Sequence, residues 1–104
     1  MAAIIPSFND FQQIIEILNS IFIKVNAETD VEWTQFSSAP ALIDELTVSI
    51  EKLRQGDYQT LENVYLMFLP TGSFQELSVS NGWADEFLQM AEQFDACYEK
   101  LKKQ

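Results

Sequence analysis

The stretch whose reading decides the fold is Leu61–Glu76, LENVYLMFLPTGSFQE. Leu61, Val64, Tyr65 and Phe68 stand at i, i+3, i+4 and i+7, the spacing of one face of an α-helix, and Leu69 extends it. Leu66 and Met67 place apolar side chains on the remaining faces, which predicts a central helix, hydrophobic nearly all round. Pro70-Thr71-Gly72 stops it. Ser73 and Glu76 then have capping-box spacing, in which each side chain satisfies the other's orphan backbone N–H. That opens a short helix to about Ser80, closed by Asn81-Gly82. The same residues carry a rival reading. Val64–Leu69 and Phe74–Val79 could pair as a β-hairpin around Pro70-Thr71-Gly72-Ser73. The capping box and the 61/64/65/68 spacing weigh for helices.

Outward from this stretch the periodicity stays helical. Toward the N-terminus, Asp57 is an N-cap candidate for the same helix, and Gly56 is a left-handed stop for the helix before it. That earlier helix starts at Ser38-Ala39-Pro40 and carries the stripe Leu42, Ile43, Leu46, Ile50 and Leu53. Asn26–Ala39 reads as a polar, acidic connection. Before it, Phe8, Phe11, Ile14, Ile15, Leu18, Phe22 and Val25 predict a helix over about Phe8–Val25, capped by Ser7 or Asn9, with Asp10 suiting its positive end. Toward the C-terminus, Phe87, Met90, Ala91, Phe94, Tyr98 and Leu101 predict a last helix over about Ala84–Lys102. Asp85 and Glu86 at its start, and Lys100, Lys102 and Lys103 at its end, complement the helix dipole. The expected fold is therefore all-α: a single domain over residues 1–104, a compact bundle of about four to six helices.

Charge is distributed one-sidedly. The chain has 16 Asp+Glu against 6 Lys+Arg, a net charge of -10, no histidine and one cysteine. Gln55–Glu99 holds eight carboxylates and no Lys, Arg or His. With 47% hydrophobic and 12% aromatic residues this acidity is not a disorder signal. It disfavours nucleic acid, whose phosphates require basic side chains, and anionic membranes for the same reason. No apolar run reaches the ~20 residues that span a bilayer. Met-Ala-Ala-Ile-Ile-Pro has no basic n-region, so no signal peptide is expected, and Cys97 has no second cysteine to pair with. A cytoplasmic, reduced location fits.

Chemistry is poorly provided for. No metal or cofactor is expected: zinc lacks its histidines, and Glu28-Thr29-Asp30-Val31-Glu32 lacks the glycine and distal glutamate of a calcium loop. Asp44-Glu45 and Asp85-Glu86 are sequence neighbours, which point about 100° apart on a helix and do not converge on one atom. Cys97 lies among Gln93, Asp95, Glu99 and Leu101, the setting of a packed thiol rather than a nucleophile. Pro70-Thr71-Gly72-Ser73 lacks the frame and lysine of a phosphate loop. No enzymatic activity is expected.

Such a chain is suited to attract a basic protein. Glu28, Asp30, Glu32, Asp57, Glu62, Asp85 and Glu86 would supply the field, with Trp33 and Tyr58 as aromatic anchors, while Trp83 reads as a packing residue. Small size, acidity, helical pattern and missing catalytic groups are together similar to the bacterial immunity proteins that neutralise nuclease-type toxins of the colicin and contact-dependent inhibition systems. The segment Phe68–Glu76 followed by Asn81-Gly82-Trp83 looks like a family signature, but the likeness is one of general character and assigns no residue a role. What it implies is a mechanism: acidic side chains compete with an anionic substrate and plug a basic cleft. The alternative is a self-associating structural or adaptor module, a homo-oligomer burying surplus hydrophobes such as Ile17, Val48 and Met67. A small enzyme or small-molecule carrier is the third reading.

Overall fold

A computed structural model describes residues 6–32, 34–70 and 72–102, with side chains from Phe11 onward. Five helices follow one another: α1 (Pro6–Lys24), α2 (Ala39–Arg54), α3 (Tyr58–Phe68), α4 (Ser73–Asn81) and α5 (Ala84–Lys102), with no strand among the described residues. The decisive stretch is two helices and a tight connection, not a hairpin. The side chains of Ser7, Phe8, Asn9 and Asp10, and all of Trp33, Thr71 and Lys103, fall outside the described residues, so the caps, anchor and dipole partner expected there do too.

Local chemistry accounts for most boundaries. Ser38 caps α2, its hydroxyl accepting the Ala41 N–H at 3.2 Å. The helix ends in a Schellman motif: the Gly56 N–H reaches Leu53 O at 2.9 Å and the Asp57 N–H reaches Lys52 O at 3.2 Å, with Gly56 at φ +77°. Asp57 caps α3, accepting the Gln59 N–H at 3.0 Å and the Thr60 hydroxyl at 2.8 Å. These bonds, the Thr60 hydroxyl first, hold its carboxyl below the ordinary aspartate range against the opposing effect of desolvation.

Two expectations are corrected. Ser73 is not a capping-box residue. Gly72 is the N-cap of α4, with no side-chain cap, and the Ser73 hydroxyl instead accepts the Gln35 N–H at 3.3 Å. Nor is α3 buried all round. Leu61, Val64, Met67 and Phe68 are buried, whereas Leu66 is 57% exposed. α3 packs on α2, α4 and α5, and the face carrying Leu66 is left open.

The core is aromatic at its centre. Phe68 stacks on Phe94 at 4.3 Å between ring centroids and on Phe87 at 5.8 Å, and meets Phe74 edge-on at 5.1 Å. Tyr98 continues the array against Phe94 and, at 4.3 Å, against Tyr65. α1 packs on α2 and α5. It runs antiparallel to α5: the Cys97 thiol donates to Gln13 Oε1 at 2.9 Å near one end, and Lys24 Nζ meets Glu86 Oε2 at 2.6 Å at the other. Cys97 is buried, the packed thiol expected. Of the three hydrophobes offered as a surplus, Ile17 and Met67 lie in this core and Val48 is exposed.

Candidate interaction surface

The expected acidic residues separate into two groups. Glu28, Asp30 and Glu32 lie exposed on the connection after α1. That connection is folded on itself and clamped to α4. The Glu28 N–H donates to Asn26 Oδ1 at 2.8 Å, the Asn26 N–H to the Thr29 hydroxyl at 2.8 Å, and the Glu32 N–H to Asp30 Oδ1 at 2.9 Å. Asn81, at the end of α4, accepts the Asp30 N–H at 3.0 Å and donates to Asp30 O at 2.9 Å and to Leu77 O at 2.8 Å. Gly82 and Trp83 lead directly from it to Asp85 and Glu86 in the first turn of α5. Five of the nine expected residues therefore share this end of the molecule. Glu86 is committed to Lys24, whose ammonium also lies 5.5 Å from the centroid of the buried Trp83 ring. Trp83 is a packing residue, as read.

Asp57, Tyr58 and Glu62 belong to the opposite end. Tyr58 is 48% exposed and rests edge-on against Phe11 at 5.2 Å. Glu62 Oε1 accepts the Tyr98 hydroxyl at 2.8 Å. Glu86 and Tyr98 are twelve residues apart on α5, which places the two groups about 18 Å apart along its axis.

What joins them went unread in the sequence. The outer face of α5 presents Asp85, Leu88, Glu92, Asp95 and Glu99, all exposed. Their spacing of three and four residues alternates with the buried stripe Phe87, Phe94, Tyr98 and Leu101. The signal was available: once the inward stripe is assigned, the acids that fall between its members define the outward one. Glu92–Asp95 and Asp95–Glu99 are like-charge pairs at i, i+3 and i, i+4, each unfavourable by a few tenths of a kcal/mol. Among the described residues the ion pairs are Lys24–Glu86 and Arg54–Glu51, so the stripe is not neutralised by a salt bridge. No group of three or more metal-ligating side chains occurs among the described residues, and no described helix is long and apolar enough to cross a membrane.

Two experiments probe this framework. Asn81→Ala removes three side-chain hydrogen bonds. It is expected to cost about 1–2 kcal/mol and to release residues 26–32, measured as faster exchange of the Asp30 amide hydrogen and a lower urea midpoint. The Tyr98 phenol is pushed up to about 12, first by burial and then by its bond to the Glu62 carboxylate. A phenol raised in the fold stabilises it below the unfolded value of about 10. Stability is therefore expected to fall as pH rises from 10 through about 12, and Tyr98→Phe is expected to flatten that decline in circular-dichroism unfolding curves.

Among the described residues the exposed large hydrophobics are Ile23, Val48, Tyr58, Leu66, Val79 and Leu88, which come from all five helices. Comparison with protein-family models, curated proteins and solved structures finds no match to this chain.

Proposed function

We propose that this protein binds and neutralises a basic protein partner, acting in the cytoplasm as an immunity protein against a nuclease-type toxin. The observation that carries the reading is the uncompensated acidic face of α5, within a 45-residue span, Gln55–Glu99, that contains no cation. Repulsion along that face lowers the stability of the isolated chain and is relieved when a basic surface covers it. Four carboxylates along about 21 Å of helix also set up a field that accelerates encounter with a positive cleft. Leu88 supplies apolar contact beside them. The enzyme reading has no comparable support: among the described residues the buried hydroxyl of Thr60 is taken up by the Asp57 cap, that of Ser49 makes a long bond to Glu45 one turn earlier on its own helix, and that of Ser78 donates to Gln75 O.

The test is stopped-flow association with a basic nuclease toxin domain, together with inhibition of its nuclease activity. Wild-type association is expected to slow by about tenfold or more between 25 mM and 500 mM salt. The triple variant Glu92→Gln, Asp95→Asn, Glu99→Gln is expected to lose about tenfold in association rate at low salt. Rates indifferent to both salt and the triple substitution would sink the proposal.

A further inference from the structure

The seam between α1 and α2 holds two small grooves, and α5 lines neither. One, of about 290 Å³, has Ile15 and Leu53 in its wall and reaches Arg54. The other, of about 210 Å³, lies among Phe22, Ile50 and Glu51 and reaches the same Arg54. Both fall below the roughly 300–1,000 Å³ of small-molecule pockets, a size that suits a single protruding side chain. Such a side chain stands beside them. Ile23 follows Phe22 on α1 and is 81% exposed, the most exposed large hydrophobic among the described residues. It also lies one turn after Asn19, which lines the second groove, so knob and groove share a face.

Charge is nearly balanced on these two helices. α1 carries Asp10 and Glu16 against Lys24, and α2 carries Asp44, Glu45 and Glu51 against Lys52 and Arg54, so together they account for -2 of the net -10. Arg54, present in both grooves, opposes the kind of basic partner that α5 attracts. Glu51 and the net charge of the chain oppose an acidic one. Glu51 and Arg54 are both exposed, and the contact between them is long, 3.5 Å. Each therefore keeps the capacity to pair with a charge brought from outside.

A surface that bears a knob, a groove and one charge of each sign is its own complement across a two-fold axis. We infer that the α1–α2 seam docks a second copy of this chain. Ile23 of each copy enters the groove at Phe22 and Ile50 of the other, and Glu51 of each copy faces Arg54 of the other. Burial of Ile23 supplies the driving force, and the reciprocal charges fix the register. The acidic connection and the outer face of α5 take no part, so a dimer built this way presents two acidic faces. The inference is independent of the basic-partner reading above and stands or falls by itself.

The test is sedimentation velocity of the full chain over about 1–200 μM, where wild type is expected to pass from monomer to dimer. Ile23→Glu places a charge in an apolar groove twice per dimer and is expected to weaken association about tenfold or more. Ile23 is largely exposed, so the variant keeps its core. Leu88→Glu, on α5, is expected to leave the dimer unchanged. Glu51→Arg and Arg54→Glu each set like charges against one another across the two-fold axis, and each alone is expected to weaken the dimer about threefold or more. An equimolar mixture of those two variants restores opposite charges and is expected to recover it. A monomer throughout the range overturns the assignment. So does a dimer that survives Ile23→Glu but is lost in Leu88→Glu, or a mixture of the two charge variants that associates no better than either alone.

Discussion

Phe94→Ala is expected to destabilise the protein by about 4 kcal/mol, a typical cost of emptying a well-packed phenylalanine site. Phe94 is completely buried and stands at the middle of the aromatic array, 4.3 Å from Phe68 and 5.9 Å from Tyr98. Two losses combine there. The ring's transfer from water is forfeited, and a cavity opens that its neighbours cannot close. Phe68 is held by Phe74 and Phe87, and Tyr98 by Tyr65 and by its bond to Glu62, so neither ring is free to move in. Small domains have about 5–15 kcal/mol in total, so this substitution alone removes a large share. Urea unfolding followed by circular dichroism measures it directly. A loss below about 1 kcal/mol would mean that α3 and α5 do not meet through this stack.

Gly72→Ala is expected to cost about 3 kcal/mol, through steric overlap rather than backbone strain. At φ -83° and ψ 173° the residue occupies extended backbone open to any amino acid. A Cβ, however, would lie 2.5 Å from Leu66 O and 2.7 Å from Met67 O. Those atoms are backbone and have no rotamer through which to yield. The chain is fixed on both sides: the Gly72 N–H is bonded to Leu69 O at 2.7 Å, and the Glu76 N–H to Gly72 O at 3.2 Å. Relief therefore requires α4 to shift from the end of α3. Gly56 provides the contrast, since its Cβ would meet nothing within 4 Å and its substitution costs only the positive φ, about 1–2 kcal/mol. Thermal unfolding of the two variants is expected to rank Gly72→Ala as the more damaging, and Phe74, which packs on Phe68 just beyond the junction, reports the displaced α4 by nuclear magnetic resonance.

How far the sequence alone reached differs between fold and surface. Helix boundaries were legible because their causes are local. Ser38, Asp57 and Gly56 act on backbone groups within a few residues of themselves, and each does what its position implies. The inward stripe of α5 was legible because a 3.6-residue period leaves one face for the core. Ser73 was misread because two residues compete for one cap. The spacing to Glu76 suits Ser73, but the close approach of Gly72 to α3 sets the chain direction, and the serine turns to Gln35. Leu66 was misread because hydrophobicity says that a side chain prefers burial, not that a neighbour is present to bury it.

Sequence by itself determined the helical class, the boundaries at Ser38, Gly56 and Asp57, most of the inward stripes and the sign of the field, all set by composition or by interactions a few residues long. The tertiary structure decided which charges act together. Asn81 brings Asp30 to the end of α4, fifty-one residues away, and Lys24 takes up Glu86 across sixty-two. Glu62 is drawn to Tyr98 at the far end, and α5 displays Glu92, Asp95 and Glu99 along the line between. Electrostatic effects depend on distance in space, and chain distance says little about it once antiparallel helices pack. An acidic span is therefore readable from residues alone, whereas the face on which it acts is settled by packing.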